Sequence, residues 1–416
     1  MKRILIIAGE PSADLHGANL VKAIRYKINS RTRMVQSQAL NVSSSSTSAA
    51  MDQNFGIKAD NTDEQMNTVE FIGIGGRRMS QEGVKLIFDA DKIAVVGISE
   101  VLKHIGMIRQ AFRSVEANVA KDHFDLGILI DFPDFNLRLA KKLYDIGIPL
   151  VYYISPQVWA WRKGRIKQIA KYFKKVLVIF SFEEPIYKQA GVDVKFVGHP
   201  LVKIVKMTRT KQELLKLYDI PLNRRIIAML PGSRDSEVKR HFPIMLKAAS
   251  ILKEQHNNLM FVIPVLSSQS DLCRTIASNF NLPIRIIVND TYNAVGMSEF
   301  AVVTSGTATL ETALLGIPMI IIYRVSFFSH IVARMLLSIK RIGIVNIATG
   351  EDIVPELVQN KLTPQNLADM INVYLKGELS YNRFKEGYAK LRRVLTDKDA
   401  SENAADDILS MLGLSA

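Results

Sequence analysis

Ten short apolar runs recur along this chain, at residues 4–8, 69–74, 126–130, 150–154, 176–180, 226–230, 259–264, 284–288, 300–304 and 318–323. Amphipathic stretches of helix length separate them. Uniformly apolar runs of strand length mark strands buried on both faces, and parallel strands need long crossovers between them. The chain therefore reads as α/β, with doubly wound parallel sheets. The alternation fades near Gly198-His199-Pro200 and resumes at Ile226, after an amphipathic segment at 211–218 and a turn at Pro221-Leu222-Asn223. A domain boundary near residue 200 follows, and a length of 416 residues suits two domains better than one. Two such domains facing each other across a cleft place their ligand sites at the carboxyl ends of the strands.

Residues 30–67 break the pattern. They carry Ser43-Ser44-Ser45-Ser46-Thr47-Ser48, few large apolar residues and no period, and read as a flexible surface insertion. The first run follows Met1-Lys2-Arg3 but meets Gly9-Glu10-Pro11 too soon for a signal-peptide core, so it reads as a buried strand. No stretch approaches the roughly 18 to 20 uninterrupted apolar residues of a spanning helix. Cys273, the one cysteine, can close no internal disulfide and anchors no zinc framework, which suits a reducing compartment. Lys and Arg number 54 against 40 Asp and Glu, a net charge of +14 that favours nucleic acid, anionic lipid or phosphorylated small molecules.

Five strand ends carry candidate chemistry. The first opens into Gly9-Glu10-Pro11-Ser12-Ala13-Asp14, a small polar loop before a helix, where main-chain N–H groups can hold an anion or where Ser12 or Asp14 caps the helix. It is not the dinucleotide fingerprint. Residues 126–130 deliver Asp131 to a strand end, where a partly desolvated carboxylate can act as a general base, while Asp134 reads as the N-cap of the next helix. Residues 152–165 interleave Trp159, Trp161, Arg162 and Arg165, which can stack bases, line a sugar site or pack a helix. In the second half, Pro231-Gly232-Ser233-Arg234 joins a strand to a helix and reads as an anion site made of main-chain donors and a guanidinium. A matching turn, Ser305-Gly306-Thr307, lets a phosphate approach the backbone, and Glu311 one helical turn later can accept two hydrogen bonds from a ribose diol.

Phosphate from one loop and ribose from a Glu one turn on is the pairing that two-Rossmann-domain (GT-B) glycosyltransferases use for a sugar nucleotide. The sequence resembles the lipid A disaccharide synthase family over nearly its whole length. The resemblance rests on Gly9-Glu10 with Ser12, Asp14 and Gly17-Ala18, on residues 71–79, 96–101, 130–136 and 153–162, on Val197-Gly198-His199, and on residues 230–237 and 305–311. It implies an inverting glycosyltransferase that needs no metal or other cofactor. The implied reaction moves 2,3-diacylglucosamine from its UDP donor to the 6-hydroxyl of 2,3-diacylglucosamine 1-phosphate, in lipopolysaccharide biosynthesis. Mapped by motif, Asp131, Glu10 and Asp14 are the candidate catalytic acids. Ser233, Arg234, Ser305, Gly306, Thr307, Glu311 and Asn346 are the candidate UDP contacts. Pro11 and Ala13 depart from the family pattern of the first loop, and residues 30–67 exceed the expected connection.

The expected division is residues 1–200 with 378–416 as an acceptor-side, membrane-facing domain, and 201–377 as the UDP-sugar domain. Ile98, Val101, Leu102, Ile105 and Ile108 recur at helical spacing among Lys103, His104, Arg109 and Arg113, the pattern of a helix lying in an anionic membrane interface. Residues 327–344 offer a second such pattern. The expectation is thus a cytoplasmic enzyme held peripherally on the anionic inner membrane, with no nucleic-acid partner and a homodimer left open. The competing readings are a UDP-N-acetylglucosamine 2-epimerase or muramyl-type transferase on the same fold, or a basic nucleic-acid-binding protein using Trp159 and Trp161.

Overall fold

A computed structural model describes residues 1–45, 69–90, 101–156, 164–325, 341–377, 381–396 and 399–414. The chain forms two compact units, residues 1–200 with 398–416, and residues 201–397. The first is built on a seven-stranded sheet of order β3-β2-β1-β4-β5-β6-β7. Its strands are β1 (Lys2–Ala8), β2 (Val69–Gly75), β3 (Lys85–Asp89), β4 (Leu126–Ile130), β5 (Leu150–Tyr153), β6 (Lys175–Val178) and β7 (Val194–Phe196). The second is a six-stranded sheet of order β10-β9-β8-β11-β12-β13, from β8 (Arg225–Leu230), β9 (Leu259–Val265), β10 (Ile284–Val288), β11 (Phe300–Thr304), β12 (Met319–Tyr323) and β13 (Glu356–Val358). All the pairings are parallel. Both orders reverse next to the unit's first strand, the Rossmann arrangement.

Strict alternation divides the core of the first unit into two layers. Leu5, Ile7, Leu129, Leu150, Tyr152 and Val176 face the helices Val101–Val119, Pro133–Asp145 and Arg165–Tyr172. Ile4, Ile6, Ile128, Ile130, Val151 and Tyr153 face the helices Pro11–Ser45 and Ala400–Met411. The helix leaving β1 and the helix leaving β4 thus lie on opposite faces of the sheet.

Three expectations change. The first helix, Pro11–Ser45, runs into the segment expected to be irregular from residue 30. Residues 31–40 lack an apolar stripe, but Arg, Met, Gln, Ala and Leu extend a helix readily once its packed early turns have nucleated it. Residues 46–68 lie outside the described residues. Next, the C-terminal helices do not travel together. Ala400–Met411 packs Ala404, Ala405, Ile408 and Leu409 into the first unit, and Asp407 pairs with Lys175 at 3.1 Å and Lys195 at 2.6 Å. Tyr381–Leu395 instead belongs to the second unit, where the Tyr388 hydroxyl donates to Ile317 O at 3.0 Å and Arg392 donates to Leu314 O. Its amphipathic pattern could not say which sheet it would cover. Finally, Ile108, expected to face a membrane, is partly buried and packs with Phe112 against the core. Ile98 and the side chains of Val101, Leu102 and Ile105 lie outside the described residues, as do Trp159, Trp161 and residues 327–340.

Gly73 sits opposite Ile6 in the β1–β2 pairing, and a Cβ there would lie 1.7 Å from the Ile6 carbonyl oxygen. Gly73→Ala is therefore expected to destabilise the fold by about 3 kcal/mol or more, measured by denaturant unfolding. Gly106→Ala, whose Cβ meets nothing within 4 Å on an exposed stretch of helix, is expected to stabilise by roughly 0.5–1 kcal/mol.

Candidate active site

β4 ends at Ile130, and the next two residues, Asp131 (φ 47°) and Phe132 (φ 43°), both take left-handed backbone. That region costs a non-glycine residue about 1–2 kcal/mol. Four hydrogen bonds hold the turn. Asp131 N–H donates to Tyr153 O at 3.1 Å, Asn136 Nδ2 donates to Ile130 O at 3.1 Å and Asp131 O at 2.7 Å, and the Tyr152 hydroxyl donates to Asp131 O at 3.0 Å. The residue itself is half-buried at the strand end. Burial, and then the charge of the exposed Glu10, push its carboxyl up to about 6, against a hydrogen bond from Phe132 that lowers it. A carboxylate tuned this way is ionised at neutral pH yet holds a proton far better than a surface acid. Gly9 brings the β1 loop alongside, since a Cβ there would lie 2.4 Å from the Phe132 ring.

Asp14 does other work. Its Oδ1 accepts from Gly76 N–H at 2.7 Å and Met79 N–H at 3.1 Å, and its Oδ2 from Arg78 N–H at 3.1 Å. The helix Arg77–Gln81 begins after Gly76, which supplies no side-chain cap, and Asp14 caps it from a neighbouring element. The geometry thus gives Asp14 a positioning role in place of the expected catalytic one. Asp134 is not the N-cap expected of it either: Phe132 holds that position, Pro133 follows, and Asp134 pairs with Arg165. Burial lowers His16 to about 4, and burial with the nearby His16 lowers His199 to about 3, so both imidazoles are neutral at pH 7.

In the second unit the loops after β8 and β11, which pair directly, lie side by side. Gly232 takes φ 127°, and Glu237 folds back over it to accept from Ser233 N–H at 3.0 Å and Arg234 N–H at 3.3 Å. The main-chain donors expected to meet an anion are therefore taken by Glu237, whose Oε1 also accepts from the Arg234 guanidinium at 3.3 Å, on an arginine side chain 73% exposed. At the β11 turn, Ser305 Oγ donates to Ile342 O at 2.8 Å, Gly306 has open space where a Cβ would stand, and Thr307 is exposed at the start of the helix Thr307–Leu314. Gly306, at its N-cap, brings no side chain to cap that helix. One turn on, Glu311 accepts from the Tyr292 hydroxyl at 2.9 Å, and burial raises its pKa above the usual carboxylate value.

Asn346 is only 1% exposed and is spent on the fold. Its Nδ2 donates to Val354 O at 2.7 Å and Glu356 Oε1 at 2.8 Å, and its Oδ1 accepts from Val354 N–H at 2.9 Å. Both donors are consumed by the fold, which gives Asn346 a positional role. Sequence reading also missed Asn136, Tyr152, Tyr292, Glu356 and His241. His241 is fully buried, with Nδ1 3.1 Å from Pro231 O and Nε2 accepting from Arg324 N–H at 3.0 Å, so it ties the β8 loop to the end of β12. A signal existed for two of them: His241 falls between Val238 and Met245, and Asn136 precedes Leu139 and Ala140, each on the buried stripe of its helix.

Because the folded-state pKa of Asp131 is raised from 3.8 to about 6, the folded chain holds the proton more tightly than the unfolded chain. Stability from this group is greatest below the lower value and declines as pH rises through that window. Asp131→Asn is therefore expected to raise the melting temperature at neutral pH, with the advantage shrinking toward pH ~4.

The family model for LpxB, lipid-A-disaccharide synthetase, matches residues 4–409. A lipid-A-disaccharide synthase from Syntrophus aciditrophicus is 40% identical over 413 residues, covering 99% of this chain and 98% of the relative. Among solved structures, UDP-GlcNAc 2-epimerase from Neisseria meningitidis bound to UDP-GlcNAc aligns at TM-score 0.58 and 11% identity, over 99% of each chain. A glycosyltransferase from Rickettsia africae aligns at TM-score 0.55 and 14% identity, over 100% of this chain and 99% of that one. Likeness at such low identity shows the shared fold, two Rossmann-like domains of the GT-B kind, while the full-length sequence match decides between the activities that this fold carries. The chain belongs to the lipid-A-disaccharide synthetase family of glycosyltransferases.

Proposed function

We propose that this chain transfers 2,3-diacylglucosamine from its UDP donor to the 6-hydroxyl of 2,3-diacylglucosamine 1-phosphate, with inversion at the anomeric carbon. Asp131 carries the reading: a carboxyl at a strand end beside Glu10, with its pKa raised to about 6. In the proposed step Asp131 takes the proton of the acceptor hydroxyl as that oxygen bonds to the donor C1. The C1–O bond to UDP breaks, and the electron pair leaves on the diphosphate. Arg234 and the uncapped helix start at Thr307 stabilise that charge, and Glu311 accepts from the ribose hydroxyls. These roles are supported by the turn at Ser305-Gly306-Thr307 and the exposure of Arg234.

The same reading includes peripheral attachment to an anionic inner-membrane leaflet from the cytoplasm, where acylated substrates are collected. Arg109 and Arg113, both exposed on the helix Val101–Val119, and the net charge of +14 support it. No helix among the described residues is long and apolar enough to cross a membrane.

The test is UDP release by purified protein in detergent micelles, with metal chelated, given donor with and without acceptor. Release that requires the acylated acceptor and survives chelation is expected; release without acceptor, or none, overturns the reading. A base works only when deprotonated, so kcat/KM is expected to rise with pH through about 6 and then level off. Glu10→Gln removes a charge that raises that value and should move the rise to lower pH, and Asp131→Asn should cost roughly 100-fold or more in turnover.

A further inference from the structure

Ser305 and Asn346 belong to one hydrogen-bonded circuit whose centre, Glu356, lies on β13 at the sheet edge. Its Oε2 accepts from Ile342 N–H at 3.0 Å, and its Oε1 accepts from Gly343 N–H at 3.0 Å and from Asn346 Nδ2 at 2.8 Å. Gly343 precedes the helix Ile344–Thr349 and brings no side-chain cap, so the Glu356 carboxylate supplies the cap from another strand. Ile321 presses on the same turn, for a Cβ on Gly343 would lie 2.3 Å from its Cδ1. With its N–H held by Glu356, Ile342 presents its carbonyl to Ser305 Oγ at 2.8 Å. Ser305 is anchored a second time by its N–H on Ile322 O at 2.9 Å, and the next two residues are Gly306 and Thr307.

We infer that Glu356 is a positioning residue for nucleotide binding: through Ile342 and Ser305 it fixes where the Ser305-Gly306-Thr307 turn starts, and hence where the start of the helix Thr307–Leu314 is aimed. The inference rests on the assignment of that turn to UDP. A carboxylate suits the circuit, since its three hydrogen-bond partners among the described residues are all donors. An amide at this position turns one acceptor into a donor facing an N–H and loses at least one of the three bonds.

Full-length Glu356→Gln, Ser305→Ala, their double variant and the unsubstituted protein are titrated with UDP by calorimetry and assayed for turnover. Glu356→Gln is expected to weaken UDP binding about tenfold, the size of effect of one lost charge-assisted hydrogen bond. KM for the donor rises with it, while kcat and the acceptor KM hold. Ser305→Ala acts in the same direction, and the double variant is no worse than the weaker-binding single variant, because both break one circuit. Asn346→Asp, which faces Glu356 with a second carboxylate, repeats the pattern. UDP affinity unchanged in folded Glu356→Gln overturns the positioning role, as do strictly additive effects. Should Glu356→Gln not fold, unchanged affinity in Ser305→Ala overturns it instead. An unsubstituted protein that fails to bind UDP refutes the nucleotide assignment itself, a different failure.

Discussion

Each sheet of this chain begins in its middle, and that constraint places nearly everything else. Parallel strands need right-handed crossovers, so a chain that winds first to one side of its opening strand and then to the other sends helices to opposite faces. The strands flanking the reversal, β1 with β4 and β8 with β11, pair directly, and in the first unit the helices leaving them pack on opposite faces. A crevice opens at their carboxyl ends. Gly9-Glu10 and Asp131 occupy it in the first unit, and residues 232–234 and 305–307 occupy it in the second. The site residues are far apart in sequence because the reversal, not chain proximity, brings them together.

Loops at such a crevice need support from elements that do not touch a ligand. A recurring device here is a buried or half-buried polar side chain on main-chain groups of a neighbouring element. Asp14 caps the helix Arg77–Gln81, Glu356 caps Ile344–Thr349, Asn136 holds the carbonyls of Ile130 and Asp131, and His241 ties Pro231 to Arg324. Both borrowed caps serve helices that begin after glycine. A glycine lets the chain turn tightly but offers no side-chain acceptor, so the acceptor comes from elsewhere. Left unpaired, each such group would cost about 1–3 kcal/mol, which makes these contacts determinants of shape as well as of stability.

The same division explains what was legible in the sequence. All ten apolar runs form strands, and in most of them a strand covered on both faces carries its burial in its composition, the half-exposed edge strand β10 being the exception. The three strands that escaped notice, β3, β7 and β13, all lie at sheet edges. There Lys85, Lys195 and Glu356 interrupt short segments that need no unbroken apolar run. Site loops were legible because glycine, serine and a charged residue between strand and helix have a local meaning. Asp14 and Asn346 were recognised as important, but a motif marks a position without saying which way the side chain turns, and the hydrogen bonds that both make to neighbouring main chain were not legible. Glu356 offered no local sign at all: its role exists only once Ile342 and Asn346 have folded against it.

The two crevices solve opposite electrostatic problems, which gives a physical reason for two copies of one fold in one chain. A base must hold a proton well, and the first unit arranges this by burying Asp131 on a strained turn beside a second carboxylate. A departing diphosphate needs positive potential, and the second unit offers an exposed guanidinium, shared with Glu237, and a helix start that Gly306 leaves without a side-chain cap of its own. Merged in one crevice, these demands would defeat each other. Arg234 beside Asp131 would stabilise the carboxylate and weaken the base, and Glu10 beside the diphosphate would repel it. Keeping the proposed proton acceptor and the proposed anion site on separate sheets lets each be tuned without cancelling the other.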